Sequence, residues 1–468
     1  MAADQRRPPP RLPRLRARGT PPARRHTPMP DDAHRAHRNT ARLELYQIVV
    51  RVGWIFKTET IIMPAVLDAV VDSGLLRGLL PVLNRGGQSL PPLLAAGGVG
   101  RLPVLKWALV RTTLAMAVCF LVLAAAWAPL ERTRPDLLAV LFLVVYAAFS
   151  TTNGLNQLVF AAIQGKLVPP GHRGRALVVG VAVGSVAAII AGAAFLGRWL
   201  EEANGFPKIF AATGVFFALA ALVPAWLDEP ADPARAAGRA VPVRPPLSRP
   251  RAWAAAQVAL VRGDRALARL ASVAACFAAV LILFPHYQAF ARDRLGAPIG
   301  SLMTWVLVQN AATGVASLVA GPFSDRRGTR VVLVWLVALS ALTPLVVTAL
   351  GRLPPSLAAG RFWMVYLPLG LNPISLKIFT HYALELAPRP QDQPRYVSIV
   401  GVALAIPFLL SPLVGMAVDA IGFQPVFIGG FVAIAAGALL AVRLPEPRQL
   451  LADAAASGPE SGENAPRA

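Results

Sequence analysis

Long apolar runs, separated by short turns rich in Arg, Pro and Gly, recur along the chain from about residue 49 to residue 442. The hydrocarbon core of a bilayer takes roughly 20 helical residues to cross. Twelve runs approach that length: 49–71, 75–99, 107–127, 137–163, 176–196, 209–227, 270–291, 301–320, 331–350, 362–384, 397–418 and 426–442. The second is the most interrupted, by Arg77, Asn84, Arg85, Gln88 and the pair Pro91 and Pro92. Such a pattern predicts an all-α polytopic membrane protein with twelve transmembrane helices, because helices satisfy their own backbone polar groups in lipid. A longer polar stretch after the sixth run, rich in Pro and Arg, divides the chain into two six-helix bundles, 46–228 and 269–444. The linker, 229–268, holds one weakly amphipathic segment from Trp253 to Leu267, and 1–45 and 445–468 read as disordered polar tails. Met29 is a second plausible start of translation.

Composition agrees with this reading: 55% of the 468 residues are hydrophobic and only 15% are charged, far from the balance of a soluble domain. The net charge of +22 would suit a nucleic-acid binder, but the basic residues sit in short loops and in an Arg-rich N-terminal tail, without interleaved aromatics. If both termini are cytoplasmic, the loops on that side carry roughly twice as many basic residues as the opposite loops, the bias expected of a plasma (inner) membrane protein. The first 44 residues contain no apolar run and so cannot be a secretory signal. The two cysteines, Cys119 and Cys276, lie inside apolar runs and suggest neither a disulfide nor a metal site. No cofactor is expected.

The stretch Gly321-Pro-Phe-Ser-Asp325-Arg326-Arg327-Gly328-Thr329-Arg330 joins two apolar runs. Its pattern, Gly-x-x-x-Asp-Arg-x-Gly-x-Arg, resembles the gating loop of the major facilitator superfamily. Twelve spans, the long middle linker and the late sequence from Gly415 through Asp419 and Gly422 to Phe427 are similar to that family too, over roughly residues 45–445. The resemblance implies two six-helix bundles that rock about a central site, with Gly321, Asp325, Arg326, Gly328 and Arg330 as the gating motif. Short repeats support two related halves: Gly154-Leu155-Asn156 recurs as Gly370-Leu371-Asn372, and Val179-Gly180-Val181-Ala182 as Val400-Gly401-Val402-Ala403. The chain departs from the family's usual pattern twice. The loop after the second span, Gly97 to Lys106, lacks the aspartate, and the fifth span lacks the Gly-Pro pair of the drug-antiporter branch.

Ionisable side chains inside spans cost about 2.5–3.5 kcal/mol each on insertion scales, so each needs a cavity, a partner or a function. Apart from Arg111 near one end of span three, the charged ones fall on spans one, two and ten, which the family places beside its cavity. In span one, Lys57, Pro64 and Asp68 share a helical face while Glu59 points nearly away from Lys57, so direct pairing of Lys57 and Glu59 is not expected. Asp68, near the outer end, is expected to face water. In span ten Asn372 precedes Lys377, His381 and Glu385 at successive i,i+4 spacing. His286 in span seven is a second proton-carrier candidate. Substrate or coupling candidates are therefore Lys57, Glu59, Arg85, Asn156, His286, Asn310, Asn372, Lys377 and His381.

Lys57, Arg85 and Lys377 give the expected site positive character. The functional expectation is a secondary active transporter of a small polar, anionic solute, coupled to protons through Glu59 or His381, acting as a monomer in the bilayer. A drug or metabolite exporter and a non-transporting sensor or scaffold on the same fold are the alternatives. An enzyme is not expected, since no metal-ligand cluster, nucleophile elbow or phosphate-binding glycine loop is present.

Overall fold

The computed structural model describes residues 30–168, 170–232, 250–389, 392–447 and 449. Among these residues all regular structure is helical. Ten helices are long and apolar enough to cross a membrane, spanning Lys106–Thr133 through Phe423–Val442. The first two spans complete the twelve but are too polar to meet that test, for they carry the charges the sequence singles out.

The first half consists of α1 (Pro30–Phe56), α2 (Ile62–Asp68), α3 (Gly74–Val99), α4 (Lys106–Thr133), α5 (Pro135–Leu167), α6 (Pro170–Ala191), α7 (Gly197–Glu201) and α8 (Gly205–Leu222). Helices α1 and α2 make one broken span, and α6 and α7 another, joined by a π-helical turn at Gly192–Leu196. After α9 (Pro250–Gly263), the second half contains α10 (Arg265–Leu295), α11 (Ser301–Arg327), α12 (Thr329–Leu350), α13 (Pro355–Arg361), α14 (Tyr366–Leu369), α15 (Asn372–Leu386), α16 (Gln393–Ala405), α17 (Ser411–Ile421) and α18 (Phe423–Val442).

Two boundaries differ from the sequence reading. The first helix begins at Pro30, so the expected tail to residue 45 is shorter; α1 needs the extra turns because Asn39 and Arg35 bind the end of the first half. The amphipathic linker segment is the helix α9, stopped at Asp264, which instead caps α10 by accepting the Ala266 and Leu267 amides at 2.9 and 3.0 Å. Residues 233–249 of the linker lie outside the described residues, as do residues 1–29 and 451–468 of the tails.

A carboxylate ties the end of the first half to its own loops. Glu229 accepts the Leu105 amide at 2.8 Å, the Lys106 amide at 2.7 Å and Lys166 Nζ at 2.7 Å. Asn39 exchanges two hydrogen bonds with the Asp228 backbone, at 2.9 and 3.0 Å. The same face of the second half has a counterpart. Arg330 donates to the Val442 carbonyl at 2.7 Å, Tyr382 to the Pro445 carbonyl, and the Glu446 carboxylate abuts Gly328, whose φ of +90° no ordinary side chain adopts readily. The face bearing Glu229 and Glu446 is called here the terminal face, and the other the far face.

The halves meet at the far face. Helix α3 packs against α17, α10 against α2 and α3, and α11 against α6, α7 and the π turn. Gly74 and Gly415 bring α3 and α17 into backbone contact: a Cβ on Gly415 would lie 2.5 Å from Gly74 C and 3.1 Å from Leu75 N. The Gly74 amide at the start of α3 donates to both oxygens of Asp419, at 3.0 and 2.9 Å. Arg77, only 2% exposed, binds Asp68 and Asp72 and lies 3.7 Å from Asp293 of the second half. Gln288, also of the second half, donates to Asp68. Asp68 therefore does not face water: the crossing glycines pull α3 in far enough for Arg77 to cover it.

Candidate functional site

A cavity of about 520 Å³ lies between the halves, roofed by the far-face contacts and opening toward the terminal face. Spans one, two, four, seven, eight, ten and eleven contribute its walls.

Span one owes its contribution to a break. Pro64 has no amide hydrogen, and its ring opposes a helical carbonyl four residues back. The chain leaves α1 after Phe56, and the Ile61, Ile62 and Met63 amides all converge on the Thr58 carbonyl instead. This loosened turn brings two side chains together that a regular helix would hold apart. Lys57 Nζ donates to Glu59 Oε1 at 2.6 Å, against the expectation that the two do not pair. Lys57 is fully buried, with Nζ 3.2 Å from the centroid of the Trp54 ring and 4.1 Å from that of Phe149, so a paired ammonium is sandwiched against aromatic faces. Glu59 remains on the cavity wall, and the next residue, Thr60, crosses to the second half, donating to Gln309 Oε1 at 2.6 Å.

Lys57 itself is not among the lining residues; three other cations reach the cavity. Arg85 on α3 lies 5.5 Å from the Phe408 ring of the second half. Lys377 on α15 lines the wall toward the terminal face. Arg51 on α1, packed against Gly184, leaves its Nε buried without a hydrogen-bond partner. The sequence reading missed Arg51 because it sits at the edge of the first apolar run, where a loop arginine is ordinary. None of the three has a carboxylate within ion-pair distance among the described residues. Glu59 is the single carboxylate on the described wall, and it already serves Lys57.

Carboxamides complete the lining. Asn84 donates to Tyr146 at 3.3 Å and accepts from Gln88 at 2.8 Å. Asn310 donates to the Val306 carbonyl at 2.9 Å. Asn372, at the break between α14 and α15, leaves its Nδ2 buried and without a partner.

Other predicted residues lie elsewhere. Asn156 is buried within the first half, where it donates to Thr112 and Thr113 at 3.1 and 2.9 Å and accepts from Tyr46; its neighbour Gln157 is the one that reaches the cavity. His286 is fully buried outside the cavity lining, with neither ring nitrogen hydrogen-bonded. His381 lies on an exposed surface, 52% accessible and 3.2 Å from Glu385. The i,i+4 stripe on α15 thus delivers only Lys377 to the cavity, because α15 leaves the wall after one turn. In the stretch expected to gate, Gly328 makes the turn from α11 to α12, Arg330 binds its own half, and Arg326 is exposed. Gly321 has open space where a Cβ would stand, and the Asp325 side chain lies outside the described residues.

No family model and no curated protein matches the sequence. Solved structures do match in shape. A mutant of the nucleoside transporter NupG aligns with a TM-score of 0.65 and 12% identity, over 87% of this chain and 99% of that one. A D-xylose-proton symporter aligns at 0.60 and 12%, over 86% and 98%. A bacterial homolog to the human lysosomal transporter Spinster, inward-facing and unoccupied, aligns at 0.58 and 15%, over 90% and 98%. At such low identity the likeness speaks for the fold, and function must come from the site. Twelve spans in two halves around a cavity closed at one face give this chain the fold of the major facilitator transporters.

Proposed function

We propose that the protein is a secondary active transporter of small polar organic anions, working by alternating access, with a proton carried on Glu59. The observation that carries this reading is the surplus of positive charge in one cavity: Arg51, Arg85 and Lys377 face it with the single carboxylate Glu59, itself paired with Lys57, and none of the three has a carboxylate within ion-pair distance among the described residues. An unpaired cation on a membrane-embedded wall is costly, and an anionic solute relieves that cost. Carboxamides from both halves, among them Gln88, Gln157, Gln309 and Asn372, both donate and accept, which suits hydroxyl groups on the same solute. The neighbours named for a nucleoside and for D-xylose handle hydroxyl-bearing molecules, so a carboxylated or phosphorylated sugar is the natural test compound.

Proton coupling rests on Glu59. A proton on its carboxylate would release Lys57 from its ion pair, and entry of a protonated site with an anion would be electrically neutral. If the terminal face is cytoplasmic, the conformation seen here is inward-facing and both termini lie in the cytoplasm.

The test is uptake into proteoliposomes holding a pH-sensitive dye, with glucuronate, glucose 6-phosphate and neutral glucose compared. Charged probes should move and acidify the lumen, and glucose should not. Arg85→Gln should cut anion uptake at least tenfold, since a hydrogen bond to a charged group contributes about 1.5–3 kcal/mol, and Glu59→Gln should abolish the pH change. Equal uptake of glucose and glucuronate, unaffected by Arg85→Gln, would overturn the reading.

A further inference from the structure

Arg111 is exposed on α4, in span three, away from the cavity and from the contact between the halves. It belongs to a stripe of exposed residues, Trp107, Arg111, Leu114, Val118 and Val122, spaced by four, three, four and four positions and so lying on one helical face. The packed side of α4 is elsewhere: Thr113 meets Tyr46 and Asn156, and Ala117 lies against Gly214 of α8. The stripe therefore faces lipid, where a charge is costly unless an anion accompanies it.

The protein supplies no such anion among the described residues. Arg111 makes no ion pair, and the two carboxylates that close this end of the first half are engaged, Asp228 with Arg35 at 3.2 Å and Glu229 with Lys166 at 2.7 Å. Nor does the fold demand a cation at this place. Lys106 and Arg330 play matching parts in the two halves, donating to the Leu227 and Val442 carbonyls at 2.9 and 2.7 Å. Five residues further on, the first half has Arg111 and the second has Trp335, also exposed.

We infer that Arg111 and Trp107 bind the phosphate of an anionic phospholipid against the outer face of the first half. Trp107 is 50% exposed, and Trp226, at the end of span six, is 62% exposed; Lys106 Nζ reaches the carbonyls on either side of Trp226, so the two indoles stand at one level. Exposed tryptophans of this kind sit among lipid headgroups. Arg111 starts one turn deeper, about 6 Å, but helical side chains lean toward the N-terminus of their helix. For α4 that end is the terminal face, so the guanidinium rises to the phosphates while its stem stays in the apolar layer. A guanidinium grips phosphate through two parallel hydrogen bonds, and an indole N–H on the same face is a further donor.

Two features select the lipid. Arg42, which donates to the Trp226 carbonyl, and Lys106, 5.4 Å from the Trp107 ring, add positive charge without an ion-pair partner among the described residues. That field favours a headgroup of net negative charge, such as phosphatidylglycerol, over a zwitterionic one. Leu114, Val118 and Val122 continue the stripe inward and give the acyl chains an apolar track, which a free phosphate could not use. Spans three and six do not line the cavity, so the lipid stays out of the solute's path and instead holds the first half at a fixed depth in the bilayer.

The test reads the lipid beside the stripe and needs no solute. Val118→Cys, in a background lacking Cys119 and Cys276, is labelled with bimane and the protein placed in bilayers in which brominated phosphatidylglycerol or brominated phosphatidylcholine is the quencher. Half-quenching should need about fivefold less of the anionic lipid, the effect of one basic residue at such a surface. Arg111→Leu, which places an apolar side chain in lipid and so leaves folding undisturbed, should erase the difference, and Arg111→Lys should keep part of it. Leu342→Cys, twelve residues after Arg330 as Val118 is after Lys106, is the reference in the second half and should show a smaller preference. Equal quenching by the two lipids at Val118→Cys, or a preference that survives Arg111→Leu, would overturn the proposal. Loss of the preference on adding millimolar glycerol 1-phosphate would overturn the lipid assignment in favour of a free phosphate.

Discussion

Replacing Gly415 with alanine should open the far face. The added Cβ would lie 2.5 Å from the carbonyl carbon of Gly74 and 3.1 Å from the Leu75 nitrogen, both backbone atoms of α3. No flexible side chain is present to yield, so relief requires α3 and α17 to separate. One turn away the same helices cross again, with the position of a Gly78 Cβ 2.7 Å from Pro412 Cα, which leaves little room for sliding along the crossing. Overpacking of this kind costs about 1–3 kcal/mol, and the cost falls only on the conformation in which the helices touch. The ratio of far-face-closed to far-face-open molecules should then drop about 5- to 150-fold. Pulsed spin-label distances between Arg134→Cys and Arg352→Cys, on the far-face ends of the two halves, measure the ratio directly. Gly401→Ala, where open space awaits the methyl group, is the control and should match wild type. A Gly415→Ala distribution indistinguishable from wild type would refute the reasoning, because it would mean that the overlap is absorbed within one half.

Lys57→Met should be strongly destabilising, because it leaves the mostly buried Glu59 without its partner; breaking a buried pair costs about 3–5 kcal/mol. The double variant Lys57→Met/Glu59→Gln should recover most of the lost Tm in detergent, and a double variant no better than the single one would argue against pairing. Glu229→Ala should lower Tm clearly more than Glu446→Ala does. Glu229 accepts bonds from two amides and an ammonium, while neither Glu446 oxygen is hydrogen-bonded; equal losses would contradict that difference.

The twelve spans were legible because lipid demands long apolar helices, and the two runs that fail a strict apolarity test are the ones whose charges approach the cavity or the far-face contact. Assigning individual residues was harder, for a reason visible at Asn156 and Gln157. They are adjacent in sequence and about 100° apart on one helix, yet one is locked inside the first half and the other lines the cavity. A polar residue in a span points toward some protein interior either way, and only the packing of neighbouring helices decides which. Lys57 and Glu59 failed for a different reason. Their angular separation holds for an unbroken helix, whereas the turn at 57–61 is unwound; Pro64 is the available signal, and its effect begins several residues earlier than the proline itself. Arg51 and Asp68 show the same limit at the two ends of a span, where sequence cannot tell an interfacial charge from one covered by a neighbouring helix.

The Glu229 clasp also bears on how the chain is made. Its partners, Leu105, Lys106 and Lys166, and those of the adjoining Asp228, Arg35 and Asn39, all precede it, so every group needed to tie off the first half has been synthesised once residue 230 leaves the ribosome. Chains of this size assemble from the N-terminus forward. The first six spans can therefore be locked as a finished bundle before the second six are inserted, and the later helices meet a preformed partner surface through the small far-face contact rather than an unfinished tangle. A lesion in the clasp would then appear first as failed biogenesis, before it appeared as slow transport.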